Sequence, residues 1–373
     1  MHPVTETSPQ HWMRQALDQA AQARLLAPPN PAVGCVIVDT QGQILGQGHT
    51  QRVGGPHAEV MALRDAAAKG HSTQGATAYV TLEPCSHQGR TGPCCDALVA
   101  AGIRKVVASI ADPNPLVAGN GFARLRAAGV EVEVGPGAAE ARELNLGFFS
   151  RMVRKTPWVR MKIAASLDGR TALANGDSQW ITAPAARADG HASRARACAV
   201  LTGIGTVLKD RPTLDARLAD TPRQPHLVVV DNRLDTPPNA SIFIAGRAVY
   251  ISTNGQNDLK QHALEAAGAT VLHLPGAGGR VDLAALLQEL ARREINEVHV
   301  EAGHTLNGAL IQAGLVDEFL VYLAPKLVGP GLDMARLLPL AGLSEAVPLQ
   351  FTSVGLVGPD IRITARIPGR DQF

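Results

Sequence analysis

Features that would indicate macromolecular partners are scarce in this 373-residue sequence. Aromatic residues make up only 3% of the chain, too few for the stacking platforms that bind single-stranded nucleic acids. The formal net charge is only +2, which gives no electrostatic basis for binding a nucleic acid or a membrane surface. No apolar run approaches the ~20 residues that a membrane-spanning helix needs. We therefore expect neither a nucleic-acid partner nor a membrane partner.

Secretion signals and a disulfide framework are also missing from the sequence. Residues Met1–Glu6 show no positively charged segment leading into an apolar one, as a signal peptide would. Cysteine occurs five times, an odd number, and three of these residues crowd together at positions 85, 94 and 95. Such a cluster is typical of metal ligands in a reducing compartment. We expect a cytoplasmic protein.

A metal-site pattern is present between residues 54 and 96. His57 offers a nitrogen ligand, and Cys85 and Cys94 offer thiolate ligands, the types that zinc prefers. Three protein ligands leave a fourth tetrahedral position for water, which is typical of catalytic zinc sites. Glu59 lies two residues beyond His57, and residues i and i+2 do not share a helix face. Glu59 is therefore predicted to carry protons, and the whole pattern is that of the zinc deaminases.

The combination of these residues matters more than any one of them. A single buried cysteine usually acts as a small hydrophobic residue, so Cys85 alone would indicate little. Here Pro56 suits the first turn of the helix that carries Glu59, and Cys85 follows a strand-like segment at 79–82. Zinc lowers the pKa of a bound water from about 15.7 toward ~7. Glu59 would pass the released proton to the substrate, which is worth roughly 10²–10⁴-fold in rate.

Hydrophobic periodicity predicts strands that alternate with helices, which is typical of α/β domains. We place domains at residues 1–150 and 151–373, with a polar linker at Arg154–Pro157. Predicted helices lie near 9–26, 57–69, 94–101, 119–128, 137–153, 184–196, 258–266, 282–292 and 305–313. The first predicted strand ends near residue 39. Further predicted strands lie near 44–48, 78–82, 105–110, 130–134, 158–164, 198–202, 226–231, 247–252, 296–301 and 317–323.

Two glycine-bearing turns in the second domain point to a phosphate-containing ligand. The turn at 301–308 follows a strand and opens a helix, whose free N–H groups suit a phosphate. The turn at 202–206 also follows a strand. Neither matches a Rossmann fingerprint or a Walker loop, so two ordinary tight turns are the alternative. Arg194 and Arg217 suit a substrate phosphate or are solvated surface residues; Asn30 is a turn residue or a hydrogen-bonding group for a base.

These residues carry a resemblance that spans nearly the whole chain. The chain resembles the bifunctional riboflavin-biosynthesis deaminase/reductase family. The eight residues between Cys85 and Cys94, against two in nucleoside and tRNA deaminases, are a mark of the same family. The other matching motifs are Asn30-Pro31-x-Val33-Gly34-Cys35, Gly55-Pro56-His57-Ala58-Glu59, Thr81-Leu82-Glu83-Pro84-Cys85-Ser86-His87-x-Gly89-Arg90-Thr91, Lys162-x-Ala164-x-Ser166-Leu167-Asp168-Gly169-Arg170, Ser178-x-Trp180-Ile181-Thr182, Val300-Glu301-Ala302-Gly303 and Ala324-Pro325-Lys326.

The resemblance implies an α/β protein with a cytidine-deaminase-like three-layer domain followed by a dihydrofolate-reductase-like α/β domain. The first domain would use zinc to hydrolyse the 2-amino group of 2,5-diamino-6-(5-phosphoribosylamino)pyrimidin-4-one. The second would use NADPH to reduce the ribosyl group to ribityl. The chain departs from the family at Arg211, where Asp is common, and at His304, where Pro is common.

The resemblance also implies roles for individual residues. His57, Cys85 and Cys94 would bind zinc, and Glu59 would be the catalytic residue. The NADP positions would be Ala164, Trp180, Thr206, Asp210, Asn232, Gly303, His304, Thr305, Leu306, Asn307, Gly308 and Ala309. The substrate positions would be Ser178, Arg194, Leu214, Arg217 and Glu301, with Asn30 as a further candidate.

Two other functions compete with this one. The first is a zinc deaminase for nucleosides or tRNA, fused to a domain of unrelated purpose. The weak basic charge, the few aromatics and the long loop between Cys85 and Cys94 count against it. The second is a structural zinc module joined to a nucleotide-binding regulator, against which Glu59 and the missing fourth ligand count. We expect a homo-oligomer, a dimer or a tetramer, that acts on a small phosphoribosyl pyrimidine.

Overall fold

The computed structural model describes residues 8–88, 92–115, 117–217 and 221–373. The chain divides into two compact units. One extends to Arg154 and includes Phe373, and the other spans Lys155–Gln372. The N-terminal segment Met1–Glu6 and the motif residues Gly89-Arg90-Thr91 lie outside the described residues.

The first unit is built on a five-stranded sheet in the order β2-β1-β3-β4-β5. The pairs β2–β1 and β1–β3 are antiparallel, and β3–β4 and β4–β5 are parallel. Its strands are β1 (Gly34–Val38), β2 (Ile44–His49), β3 (Thr77–Val80), β4 (Lys105–Ala108) and β5 (Glu131–Val134). Its helices are α1 (Pro9–Ala23), α2 (Ala58–Ala68), α3 (Cys94–Ala100), α4 (Asn120–Ala127), α5 (Ala138–Leu144) and α6 (Leu146–Arg154).

Helices cover both faces of this sheet, which gives the predicted three layers. Met13 and Leu17 of α1 pack with Val36 of β1 on one face. Ala62 of α2 packs with Ile37 of β1 on the other. Because successive side chains of a strand point to opposite faces, β1 is buried along its whole length.

The second unit contains a nine-stranded sheet in the order β11-β10-β9-β8-β12-β6-β13-β16-β15. The seven strands from β11 to β13 are parallel, and β16 and β15 are antiparallel to their neighbours. A two-stranded sheet pairs β14 with β7. Its strands are β6 (Trp158–Ser166), β7 (Arg170–Leu173), β8 (Ala199–Gly203), β9 (His226–Val230), β10 (Val249–Thr253), β11 (Ala269–His273), β12 (Glu297–Val300), β13 (Glu318–Ala324), β14 (Gly331–Asp333), β15 (Gln350–Val357) and β16 (Asp360–Arg366). Its helices are α7 (Pro184–Arg196), α8 (Ile204–Asp210), α9 (Asp258–Ala266), α10 (Leu283–Arg292) and α11 (His304–Gln312).

This large sheet is also covered on both faces. Leu290 of α10 and Leu310 of α11 pack against Met161 of β6 on one face. Leu264 of α9 packs against Ile251 of β10 on the other. None of the helices in the described part of the chain is long and apolar enough to cross a membrane.

The structure differs from the sequence prediction at several elements. The predicted helix 9–26 ends at Ala23, and the predicted helix 137–153 is two helices, α5 and α6. The side chain of Asn145, at the break, accepts the N–H of Ala32 at 2.7 Å and donates to its carbonyl at 3.0 Å. This pairing with a distant loop interrupts the helix. Six elements are not predicted from the sequence pattern: α8, β7, β11, β14, β15 and β16.

Candidate functional site

Three predicted metal ligands converge in the first unit. His57 is the N-cap residue of α2, Cys85 lies in the loop after β3, and Cys94 is the first residue of α3. The Nδ1 atom of His57 lies 3.3 Å from the Sγ of Cys94 and 3.5 Å from the Sγ of Cys85. The three ligand atoms all lie within 4.8 Å of one another.

This donor set has the spacing that zinc requires. With Zn–N at about 2.0–2.1 Å and Zn–S at about 2.3 Å, a tetrahedral ion needs its nitrogen and sulfur ligands about 3.6 Å apart. The two nitrogen–sulfur distances at His57 are close to that value. Hydrogen bonds with Cys94 and with His57 lower the pKa of the Cys85 thiol to about 4. A thiolate is the form of cysteine that binds a metal.

Glu59 lies in the first turn of α2, beside the three ligand atoms. Only 3% of its surface is exposed. Burial, followed by the charge on Cys85, raises the pKa of its carboxyl group to about 7. Its side chain contacts the Cys94 thiol, so a carboxylate lies at the edge of the metal site. Among the described residues, the group of side chains that could hold a metal ion comprises His57, Cys85 and Cys94 and does not include Glu59.

A second buried carboxylate, that of Glu83, holds the loop that carries Cys85, and the sequence pattern does not predict this role. Its Oε2 accepts the N–H groups of Asp112 (3.1 Å) and Gly119 (2.9 Å). Its Oε1 accepts those of Gly121 (2.8 Å) and Phe122 (3.3 Å). Since Glu83 precedes Pro84-Cys85, these bonds tie the Cys85 loop to the segment that leads into α4. The Glu-Pro-Cys motif was visible in the sequence, but its distant partners were not.

Two further residues of the first unit, Cys95 and Asn30, have identifiable contacts. The Sγ of Cys95 donates to the carbonyl of Pro84 at 3.2 Å, and Cys95 does not belong to the group of converging ligand atoms. The backbone N–H of Asn30 donates to the carbonyl of Ala27 at 2.9 Å, as in a turn. Binding of a base by the Asn30 side chain stays a prediction.

The second unit contains a cavity of about 1370 Å³. It lies along the carboxyl ends of the parallel strands, where ligands bind in open α/β sheets. Gly308 does not line it, because its Cα faces the backbone of Arg336, whose carbonyl oxygen would lie 2.1 Å from an added Cβ. The other predicted positions of this unit line it: Ala164, Ser178, Trp180, Arg194, Thr206, Asp210, Leu214, Arg217, Asn232, Glu301, Gly303, His304, Thr305, Leu306, Asn307 and Ala309.

An ion pair between Arg194 and Glu301 forms one wall of this cavity. Arg194 Nε donates to Glu301 Oε1 at 2.6 Å, Nη2 donates to Oε2 at 2.9 Å, and Nη1 donates to the carbonyl of Asp215 at 2.6 Å. Burial would raise the pKa of Glu301, but Arg194, His299 and Lys162 outweigh burial and hold it well below its usual range. Glu301 is therefore ionised.

Two basic residues beside Glu301 were not among the predicted site residues. Lys162, two residues before Ala164 on β6, lines the cavity, and burial lowers the pKa of its amine. His299 of β12 is fully buried, and its Nε2 lies 3.5 Å from Glu301 Oε1. Among the described residues, neither ring nitrogen of His299 has a hydrogen-bond partner. Because side chains two residues apart in a strand lie on the same face, Lys162 shares a face with Ala164. This spacing could have identified Lys162 as a cavity residue from the sequence.

Arg217 is the more accessible of the two predicted phosphate-binding arginines. Its side chain is 58% exposed, against 11% for Arg194. Its Nη1 donates to Asp215 Oδ1 at 2.7 Å, and its Nη2 lies 3.1 Å from His191 Nε2. Exposed ion pairs of this kind contribute little free energy, so a ligand could displace them readily.

Family profiles match both units of the chain. A profile described as the cytidine and deoxycytidylate deaminase zinc-binding region matches residues 6–110. A profile described as the RibD C-terminal domain matches residues 157–363. The chain is 46% identical to riboflavin biosynthesis protein RibD of Escherichia coli K12 over 367 residues, which cover 94% of this chain and 97% of the relative. It is 40% identical to the protein of that name from Haemophilus influenzae over 366 residues, which cover 95% of this chain and 96% of that relative.

Solved structures show the same likeness. RibD of Acinetobacter baumannii, form 1, superposes with a TM-score of 0.88 at 40% identity, covering 97% of this chain and 99% of that one. A Thermotoga maritima structure has a TM-score of 0.85 at 32% identity, covering 96% and 98%. It is described as a diaminohydroxyphosphoribosylaminopyrimidine deaminase/5-amino-6-(5-phosphoribosylamino)uracil reductase. The predicted fold class, a deaminase-like unit followed by a reductase-like unit, is confirmed.

Proposed function

Because the chain belongs to the RibD family, and is a bifunctional zinc-dependent deaminase and NADPH-dependent reductase of riboflavin biosynthesis, we propose how its own residues divide the two reactions. The first unit hydrolyses the 2-amino group of 2,5-diamino-6-(5-phosphoribosylamino)pyrimidin-4-one and releases ammonia. The second unit reduces the ribosyl group of the deaminated product to a ribityl chain. The description of the Thermotoga maritima relative supports this choice of substrate.

In the first unit, His57, Cys85 and Cys94 hold zinc, and Glu59 moves protons. The observation that carries this assignment is the convergence of the three ligand atoms within 4.8 Å, beside a buried carboxylate. A bound zinc ion supplies hydroxide for hydrolysis at neutral pH. Glu59 would accept one proton from the attacking water and give it to the ring nitrogen as the new carbon–oxygen bond forms at C2. It would then accept the remaining proton of that oxygen and give it to the departing amine, so that the carbon–nitrogen bond breaks and ammonia leaves.

Two residues support this chemistry without touching the substrate. Glu83 fixes the loop of Cys85 through four backbone N–H groups. Cys95 is a core residue bonded to the Pro84 carbonyl. Both contact Gly121, Glu83 through its Oε1 and Cys95 through its Sγ, so the Cys85 loop and the start of α3 are tied to the same residue.

In the second unit, NADPH supplies the hydride, and the protein orients the substrate. The ionised carboxylate of Glu301 accepts hydrogen bonds from the ribosyl hydroxyls. Arg194 fixes the orientation of Glu301, because both of its parallel N–H groups are already engaged there. Arg217, which is more exposed, turns from Asp215 to bind the phosphate of the substrate through its planar guanidinium.

A pair of variants of the full chain tests this division. We expect Cys85→Ser to abolish ammonia release while NADPH oxidation on the already deaminated pyrimidine continues. We expect Glu301→Gln to abolish NADPH oxidation on the deaminated pyrimidine while ammonia release continues. If Cys85→Ser stopped both reactions while the second unit remained folded by circular dichroism, or if Glu301→Gln stopped ammonia release, the division would be wrong.

We propose that the protein forms a homo-oligomer through β15. This strand is the last in the nine-stranded sheet, and Gln350–Val357 contains no charged residue. Phe351, Val354 and Leu356 are 67%, 61% and 75% exposed. An uncharged apolar edge strand is a template for pairing with another strand. Two copies of β15 related by a two-fold axis would pair antiparallel and cover each other.

Light scattering after size-exclusion chromatography tests this interface. Val354→Lys should convert the oligomer to a monomer, because the lysines would face apolar side chains of the second copy. Leu259→Lys is the matched control, since Leu259 is 82% exposed on α9, outside the proposed interface. A monomeric wild type, or an unchanged oligomer in Val354→Lys, would rule the interface out.

We also propose that the protein acts in the cytoplasm. Cys85 and Cys94 must remain reduced to bind zinc, and all five cysteines are free thiols in the structure. A reducing compartment keeps such thiols available. Fractionation of cells that produce the protein should place it in the cytoplasmic fraction, and its recovery from an oxidising compartment would contradict the proposal.

A further inference from the structure

A tight hairpin between β11 and α10 stands at one end of the cavity. The N–H of Gly276 donates to the carbonyl of Arg280 at 2.8 Å, and the N–H of Asp282 donates to the carbonyl of Leu274 at 2.9 Å. Gly278 and Gly279 form its turn with φ angles of +64° and +67°, which favour glycine. The backbone that carries Arg280 is therefore fixed by its own hydrogen bonds.

The hairpin is also attached to the end of a central strand. Asn232, which follows β9, accepts the N–H of Val281 through its Oδ1 at 2.9 Å. Arg280 is the residue next to Val281, and Asn232, Arg280 and Val281 all line the cavity. Arg280 therefore lines the part of the cavity near the carboxyl end of β9, the end of a parallel sheet at which nucleotides bind.

Most of the basic side chains that line the cavity already form ion pairs or hydrogen bonds within the protein, or are buried. Arg194 and Arg217 form the ion pairs described above. Arg187 donates to the carbonyl of Thr182 at 2.8 Å, and Lys209 donates to that of Gly176. Lys162 is buried beside Glu301. Within the described ranges, the guanidinium groups of Arg211 and Arg280 have neither an ion pair nor a hydrogen bond, and both residues are exposed.

The two ends of the cavity are lined by different residues and lie at different strands of the sheet. Lys162 lies midway along β6 and Glu301 directly follows β12, and Arg194, a predicted substrate position, contacts Glu301. β9 is separated from β6 by β8 and β12, which corresponds to about 14 Å at roughly 4.8 Å between neighbouring strands. An extended dinucleotide whose nicotinamide lay beside a substrate at Glu301 would therefore direct its adenosine ribose toward Asn232 and Arg280.

We propose that Arg280 binds the 2′-phosphate of NADPH and sets the preference of this reductase for NADPH over NADH. The two cofactors differ only by this phosphate on the adenosine ribose. An arginine presents paired N–H donors that match phosphate oxygens. The inference rests on the proposed NADPH site in this cavity, and it adds the group that distinguishes the two cofactors.

Arg280→Gln in the full chain tests the inference through two readouts. The first is kcat/KM for NADPH and for NADH with the deaminated pyrimidine. The second is calorimetric binding of 2′,5′-ADP and of 5′-AMP, which requires no turnover. Loss of a hydrogen-bonded charge pair should lower kcat/KM for NADPH and the affinity for 2′,5′-ADP by about 10- to 100-fold. The values for NADH and 5′-AMP should stay unchanged.

Two matched arginine variants make the result specific. Arg233→Gln, which removes an exposed arginine that pairs with Asp235 and does not line the cavity, should behave like the wild type. Arg211→Gln should also retain its NADPH preference. If Arg211→Gln lost the preference and Arg280→Gln kept it, the assignment to Arg280 would be overturned. Equal loss of NADPH and NADH activity in Arg280→Gln would overturn it too.

Failure of the inference differs from failure of the proposed cofactor site. A wild-type protein that binds neither NADPH nor 2′,5′-ADP would refute the cofactor site and the inference together. A wild-type protein that binds both, with Arg280→Gln binding them equally well, would refute only the role of Arg280.

Discussion

Arg194 holds the carboxylate of Glu301 through two parallel contacts, Nε to Oε1 at 2.6 Å and Nη2 to Oε2 at 2.9 Å. The side chains are only 11% and 14% exposed. Removing one partner of such a shielded pair leaves an uncompensated charge, which costs several kcal/mol. We therefore expect this pair to stay intact at the wall of the cavity where we propose that the substrate binds.

We predict that Arg194→Lys lowers kcat/KM for reduction by about 10- to 100-fold, because lysine cannot make both parallel contacts with Glu301. Ammonia release should not change. NADPH oxidation and ammonia release, assayed on the same preparation, measure the two effects. Arg292→Lys, at an exposed pair with Glu289, is the control. An unchanged kcat/KM for reduction in Arg194→Lys would contradict the requirement for two parallel contacts with Glu301.

Cys94 and Cys95 should behave differently despite being neighbours. Cys94→Ser should lose zinc and ammonia release, because the Sγ of Cys94 is one of three converging ligand atoms. Cys95→Ser should keep zinc and lose about 1 kcal/mol of stability, as for a buried hydroxyl with imperfect partners. Elemental analysis of zinc per chain decides between them. Zinc retained in Cys94→Ser but lost in Cys95→Ser would reverse the assignment.

Glu83→Gln should weaken zinc binding although Glu83 is not one of the three proposed ligands. The amide keeps one acceptor oxygen but places an NH₂ group against backbone N–H donors of Gly121 or Gly119. We expect the free energy of unfolding to fall by about 2–3 kcal/mol, and a chelator to remove zinc faster. Glu140→Gln, at a weak 4.0 Å surface pair with Arg14, is the control. Wild-type zinc release in Glu83→Gln would contradict the anchoring role.

His299 should make the protein sensitive to acid. Burial lowers its pKa from 6.5 to about 4; Glu301 opposes this shift, and nearby cations including Arg160 assist it. Between these values the unfolded chain binds a proton that the folded chain does not, so stability falls as pH falls. From pH 7 to pH 5, urea unfolding should show the wild type losing about 2 kcal/mol more than His299→Gln. Parallel losses in the two proteins would contradict this.

Strong local signals allowed much of the structure to be predicted. The order of strands and helices in the first unit and the convergence of His57, Cys85 and Cys94 follow from periodicity and ligand spacing. The Gly-rich segment 202–206 was interpreted as a turn, whereas Gly203 caps α8 and Gly205 lies within it. Burial of Val207 against the sheet outweighs the low helix propensity of glycine there.

The remaining features depend on contacts between distant residues. Glu83 meets its partners 29 to 39 residues later, and Arg194 meets Glu301 across 107 residues. No local pattern encodes such pairs. The strand β15 was missed for a different reason: it is exposed along most of its length, so it lacks the buried-and-exposed alternation that marks a strand in a sequence.

Ammonia release by the full chain, with the phosphoribosyl diaminopyrimidinone as substrate, tests the central claim most directly. The wild type should release ammonia with or without NADPH, and it should oxidise NADPH only after deamination. Glu59→Gln should release no ammonia while it keeps about one zinc per chain and still oxidises NADPH on the deaminated pyrimidine. Ammonia release at the wild-type rate by Glu59→Gln, or loss of its zinc, would contradict the role of Glu59 as the proton carrier of a zinc deaminase.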